Sequence, residues 1–230
     1  HSILDLQADL QPGEHIEQLV TDVVDAFWLI PNDPKERRYF ITQHKGQYII
    51  FLRTAQGSRW AMLTWGTIAA LTGRCITSLF TPEENAPPSR AGGRIKMQIY
   101  VDDPWVATRG TASENDTTLA MVVITWLILG FPLAFHKALR GTSITWIGVK
   151  LAIEDDGVRA EITEEKLQEL AKLAGEFLQT NVVAKKALRT FTANIESMAS
   201  LLYALRPFVQ PLWAALYSEA GQAPPAIASG

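Results

Sequence analysis

The sequence predicts an α+β fold: an antiparallel sheet with two helices on one face, in a ferredoxin-like arrangement, followed by a helical subdomain. Three observations carry this expectation. The runs Leu19–Val24 and Ile95–Val101 are rich in β-branched and other apolar residues and lead into acids. The stretches 66–80 and 114–129 place small and aliphatic residues at helical intervals. Beyond Thr163 the pattern becomes helical throughout. Residues 1–13 then read as a leader, 14–162 as the α+β unit and 163–217 as the helical subdomain. Residues 218–230, rich in Ala, Pro and Gly, read as a disordered tail or linker.

Taken in order, Glu17–Val24 is expected as the first strand, followed by a turn or short helix through Phe27 and the segment Ile30-Pro31-Asn32-Asp33-Pro34. Arg38–Gln43 and Gln47–Arg53 form a hairpin around His44-Lys45-Gly46, and Trp60–Leu63 a further short strand. Gly66–Phe80 is a helix. Thr81–Gly93, with three prolines and two terminal glycines, is a surface connection. Ile95–Val101 and Trp105–Thr108 pair across a turn at Asp102-Asp103-Pro104. A buried helix over 114–129 precedes strands around Ile144–Ile153 and Val158–Ile162. Thr163 is the N-cap of a helix with Glu164 and Glu165 in its first turn and an apolar face of Leu167, Leu170, Ala171, Ala174, Phe177 and Leu178. A second helix carries Leu188, Phe191, Ile195, Met198 and Leu202, and Pro207 separates it from a third through Leu212, Trp213 and Leu216.

A chain of 230 residues with 47% apolar and 20% charged residues can bury a substantial core, which excludes a largely disordered protein. The single Cys75 excludes an internal disulfide framework, and the four histidines lack zinc-ligand spacing. This favours an intracellular setting, with nucleus and cytoplasm not distinguished. The net charge of −3 argues against strong binding of nucleic acid by total charge, though a local basic surface is compatible with it. Thr117–Phe135 has no charged residue, but Gly130 and Pro132 interrupt it at the lower margin of a membrane span. It reads as a buried helix followed by a strand or turn, with no membrane partner. His1–Gly13 has polar and acidic residues where a signal peptide needs an apolar run.

The chemistry gathers at Tyr100-Val101-Asp102-Asp103. Alone, paired aspartates after an apolar strand fit a solvated turn. Asp22, in Thr21-Asp22-Val23-Val24-Asp25-Ala26-Phe27-Trp28, supplies a partner at the end of another β-branched run. Two neighbouring strands would then present Asp22, Asp102 and Asp103 to hard cations, which take oxygen ligands and share them with substrate phosphates.

These residues resemble the palm and partial thumb of a retroelement (retrotransposon- or retrovirus-like) reverse transcriptase. Asp22-x-x-Asp25-Ala26-Phe27 with Ile30-Pro31 resembles the first palm motif, and Tyr100-Val101-Asp102-Asp103 the paired-aspartate motif. Gly130-Phe131 with His136-Lys137 resembles the lysine motif, and Thr145-Trp146-Ile147-Gly148 the primer-gripping hairpin. They stand in the family's order across residues 16–153. The resemblance implies an RNA-directed DNA polymerase with two Mg²⁺ ions, Mn²⁺ being an alternative, held by Asp22, Asp102 and Asp103. It implies binding of the incoming nucleotide by Asp25, Ala26, Phe27, Gly66 and Lys137, with Phe27 excluding the ribose 2′-hydroxyl. Tyr100, Trp146 and Gly148 would position the primer. The implied partners are an RNA or DNA template with its primer, dNTPs, and fingers and ribonuclease H segments of a parent polyprotein.

The pattern departs from the family in two places. Leu71 stands where the second motif has a proline, and no Lys or Arg precedes Asp22, so the fingers are reduced or come from another segment. A second expectation follows, of a catalytically inactive or domesticated palm-like scaffold.

Overall fold

The computed structural model describes residues 2–8, 10–80, 93–155, 157–180, 182–199 and 205–217. Two compact units are formed, His1–Arg159 and Ala160–Gly230. The expected surface connection at 81–92, Leu202 and the tail at 218–230 lie outside the described residues.

The first unit is built on a four-stranded antiparallel sheet. Its strands are β1 (His15–Val20), β4 (Ile95–Tyr100), β5 (Asp103–Gly110) and β6 (Leu139–Gly141), in the order β4-β5-β1-β6. Period-two alternation sends neighbouring residues to opposite faces. Leu19, Val106 and Ile95 pack with Trp65, Ala69 and Ile76 of α2 (Ala61–Ser78) and Leu119, Val122 and Trp126 of α3 (Ala112–Ile128). Ile16, Val20, Trp105 and Ala107 point the other way, against Leu6 and Ile144. Two helices therefore cover one face, as expected for the α+β class.

Leu6 belongs to α1 (Ser2–Gln7), which lies within the expected leader and is folded against the sheet because Leu6 is buried there. Covering the same face are Ile144 and Trp146 of β7 (Ser143–Trp146) and Leu151 and Ile153 of β8 (Val149–Glu154), strands that form a three-stranded sheet with β9 (Gly157–Ile162). A separate hairpin, β2 (Ile41–His44) and β3 (Gln47–Ile50), turns at Lys45-Gly46 with every strand residue exposed. Its base is tied down by buried Asn32, which donates to the carbonyls of Phe51 and Arg53 at 3.1 and 2.9 Å and accepts from Thr54 at 3.1 Å.

Several expectations are corrected. Trp60–Leu63 is not a strand: α2 starts at Ala61, because Ala61, Trp65, Ala69, Thr72 and Ile76 recur at helical spacing and are all buried. The turn is not Asp102-Asp103-Pro104 but Val101-Asp102, with Asp103 already paired to Tyr100 and Pro104 to Ile99. Pro104 is tolerated because its backbone faces β1, where its carbonyl accepts from Thr21 N–H at 3.2 Å, so the donor it lacks is not one the β4 ladder needs.

Helix α3 is buried on one face only, with Ile124 and Ile128 exposed on the other. Its start is fixed by a capping box between Thr111 and Glu114, which holds two otherwise unpaired N–H groups.

In the second unit, α4 (Glu164–Leu178), α5 (Lys185–Ala199) and α6 (Arg206–Tyr217) follow in turn. Thr163 occupies the N-cap position of α4 without a side-chain cap bond. Leu178 leaves the expected apolar face and is exposed, whereas Phe177 meets Phe191 edge-on at 5.2 Å. Pro207 sits inside the first turn of α6, where a missing N–H is harmless.

Candidate metal centre

Asp22 lies two residues beyond β1, and the β4–β5 turn reaches the same end of the sheet. Backbone bonds fix them together: Val23 N–H donates to the Asp102 carbonyl and Ala134 N–H to the Asp22 carbonyl, each at 2.8 Å. Asp22, Asp102 and Asp103 each bring a carboxylate oxygen to within 4.8 Å of the others, and all three are partly exposed. Burial pushes the Asp103 carboxyl above its ordinary range, and the charges of Asp102 and Asp22 push it further the same way. A divalent cation would relieve that repulsion, and an all-carboxylate set suits a hard ion such as Mg²⁺ or Mn²⁺ rather than zinc.

Lys137 ends a 3₁₀ turn, Phe135–Lys137, and its ammonium bonds the Asp22 carboxylate directly. That bond, and then the charge of Asp22, raises the lysine pKa, so it stays a cation. Asp22, Asp102 and Lys137 open into a cavity of about 310 Å³ that is also lined by Asp25, Ala26, Phe27, Trp28, Gln56 and His136. Asp25 adopts a left-handed conformation at φ 53°, capping the 3₁₀ turn Ala26–Leu29. Phe27 is buried against the Trp65 ring with centroids 6.5 Å apart, so its position in the cavity wall is fixed by the core.

The turn that carries Asp102 is strained. Val101 has φ 55°, a region a β-branched residue rarely enters and one that costs on the order of 1–3 kcal/mol. Two contacts hold it there. Its side chain packs on the α2–α3 core, and its carbonyl accepts the Trp65 indole N–H at 2.6 Å. On the other side of the sheet, Trp146 stacks on Trp105 at 5.8 Å and 28°, and its indole N–H donates to the Asp103 carbonyl at 3.2 Å. Gly148 supplies the φ of 78° that the tight β7–β8 turn needs, beside Ile147 at φ 45°.

The structure thus brings Asp22, Asp102, Asp25, Ala26, Phe27 and Lys137 around one cavity, Asp103 beside the Asp22 and Asp102 carboxylates, and Trp146 against the backbone of Asp103. Tyr100 is exposed at the end of β4. Gly66 is not in the acidic cavity: it lines a separate groove of about 360 Å³ between α2 and β4, with Ala69, Gly73, Met97 and Ile99. Gln56, Trp28 and Trp65 were not singled out by sequence. The signal for Gln56 was its place beside Gly57 in a short polar loop, and Trp65 was visible only as an aromatic within a helical run.

No family model matches the sequence, and no curated protein does. Solved structures do match. A foamy viral protease-reverse transcriptase in complex with RNA/DNA hybrid aligns over 94% of this chain and 29% of its own, at 16% identity and a TM-score of 0.56. The fold is reverse-transcriptase-like. The foamy viral protease-reverse transcriptase dRH in complex with ds DNA gives 0.55 at 16% identity, and the foamy viral protease-reverse transcriptase in complex with dsDNA gives 0.50 at 17%. This chain spans 29–47% of the length of those three. In the reverse-transcriptase-like fold the four-stranded sheet is palm-like, and the three acids lie at one end of it. Among the described residues, no helix is long and apolar enough to cross a membrane.

Proposed function

We propose that this chain is an RNA-directed DNA polymerase domain of a retrotransposon-like element, adding dNTPs to a primer 3′-hydroxyl on an RNA or DNA template. The observation that carries this reading is the convergence of three carboxylate oxygens within 4.8 Å at the strand ends of a palm-like sheet. Two Mg²⁺ ions, or Mn²⁺, held by Asp22, Asp102 and Asp103 would lower the pKa of the 3′-hydroxyl and neutralise the leaving pyrophosphate.

The chain's own groups supply the rest. The Lys137 ammonium, at the cavity rim, pairs with phosphate oxygens and can pass a proton to pyrophosphate. Asp25 and Ala26 place backbone groups at the cavity wall, where they bind the triphosphate. The Phe27 ring, held by the core, denies space to a 2′-hydroxyl and selects deoxynucleotides. Tyr100, Trp146 and Gly148 seat the primer end, while Gly66, in the groove between α2 and β4, serves the template. Fingers and ribonuclease H segments of a parent polyprotein are proposed as further partners.

A second reading, an inactive or domesticated scaffold, is favoured by one observation: Lys137 engages the same Asp22 carboxylate that a metal would need. Primer extension separates the two. With Mg²⁺, dNTPs and a primer annealed to an RNA template, the chain is expected to extend the primer and Asp102→Asn to fail. Equal incorporation by both removes the two-metal mechanism, and no incorporation by either supports the scaffold.

A further inference from the structure

Gln18 interrupts the apolar face of β1. Ile16 and Val20, on either side of it along that face, are packed against Leu6, Trp105, Ala107 and Ile144, and Gln18 itself is 0% exposed. An amide in such a place is costly unless its polar atoms are paired. Here the carbonyl oxygen accepts the Trp105 indole N–H at 3.1 Å, and the amide nitrogen donates to the carbonyls of Thr142 at 3.0 Å and Leu151 at 3.2 Å. The first bond stays within the sheet that bears the acids. The other two cross to the β7–β8 hairpin, one just before β7 and one within β8. From Trp105 the connection continues by ring stacking to Trp146, and from Trp146 N–H to the Asp103 carbonyl.

We infer that Gln18 is a positioning residue: it latches the β7–β8 hairpin onto the acid-bearing sheet, so that Trp146 and the Ile147-Gly148 tip stand at a fixed place relative to the three carboxylates. This rests on the polymerase reading of the site. A leucine at the same position would pack as well, but apolar contact is not directional and tolerates sliding. Three hydrogen bonds from one rigidly buried amide fix both the height and the register of the hairpin.

The test uses Gln18→Met, which keeps approximate volume and removes every bond, and Trp146→Phe, which keeps the ring stack and removes the donor to Asp103. Amide hydrogen exchange is read by peptide, and extension of a primer–template by steady-state kinetics. Gln18→Met is expected to speed exchange in residues 142–152 and 103–106 by about tenfold while leaving α3 unchanged. The KM for primer–template should rise about tenfold, with the KM for dNTP within about twofold. Trp146→Phe, which serves also where Gln18→Met does not fold, should shift the same KM, and the double variant should be no worse than the more severe single.

Uniform acceleration across the unit, or a loosened hairpin with unchanged primer–template KM, overturns the inference. If the unaltered chain extends no primer, the polymerase reading fails while exchange still decides the latch: loosening confined to 142–152 and 103–106 supports it, and unchanged exchange there overturns it.

Discussion

The Trp65 indole N–H donates to the Val101 carbonyl at 2.6 Å, joining the second turn of a core helix to the turn that carries Asp102. Val101 is left-handed there, so the backbone needs an external hold. Trp65 is 0% exposed and also meets Phe131 edge-on at 5.8 Å. Trp65→Phe keeps much of the ring packing but leaves a carbonyl without its donor. It is expected to cost about 1–3 kcal/mol in urea unfolding. It should also weaken Mn²⁺ binding measured by calorimetry, because the turn is then free to relax toward negative φ. Unchanged metal affinity would show that the turn is held by Val101 packing alone.

Asp103 stands where burial and two acidic neighbours oppose its charge. Its carboxyl is raised above the ordinary 3.8 by burial and by its two acidic neighbours, so the ionised form is the disfavoured one in the folded state. A raised acid favours folding when protonated. The metal-free protein should therefore lose stability as pH rises from below 3.8 through the folded pKa, and remain less stable at neutral pH. Asp103→Asn is expected to raise the melting temperature at pH 7 without metal and to lower Mn²⁺ affinity. A lower melting temperature for that variant would contradict the repulsion.

Lys137 holds the Asp22 carboxylate that a metal ion would also use. With the ammonium removed in Lys137→Met, Mn²⁺ should bind the isolated chain more tightly, by a few-fold given the exposure of the pair. Primer extension should nevertheless fall, since the same lysine faces the triphosphate in the proposed reaction. Weaker Mn²⁺ binding by the variant would mean that Lys137 supports the metal site rather than guarding it.

The start of α3 is set by Glu114, whose carboxyl lies below its ordinary 4.5 because the Thr111 backbone and hydroxyl donate to it, followed by Arg94. A depressed acid stabilises the fold above its unfolded value and loses that contribution as pH falls through its folded value. Thermal melts of Glu114→Gln and the unaltered chain should differ at pH 7 and converge as pH falls from 4.5 through the lowered folded value. Thr111→Ala should cost about 1 kcal/mol at neutral pH.

How much of this was legible in the sequence depends on whether the signal is local. The strand-end acids were legible, because a β-branched run followed by Asp22 and an apolar run followed by Asp102-Asp103 state their own positions. So was the Phe27–Asp25 neighbourhood. Gly66 was read as a site residue, but helical rotation of α2 turns it into the groove with Gly73 and Ile99. The strand expected at 60–63 fell to the burial pattern from Ala61 to Ile76, which only tertiary packing reveals. Trp65 and Gln18 escaped because their roles are contacts over long sequence separations: 36 residues to Val101, 124 and 133 to the hairpin carbonyls. Val101 in a left-handed turn could not be inferred from a residue type that avoids it.

The most direct measurement is a calorimetric titration of the chain with Mn²⁺, beside Asp22→Asn and Asp102→Asn. If the three carboxylates form one cation site, the unaltered chain binds with a saturable heat and each variant loses it or weakens at least about tenfold, since each removes a charged oxygen ligand. Equal binding by all three proteins would show that the acids at the strand ends do not act together.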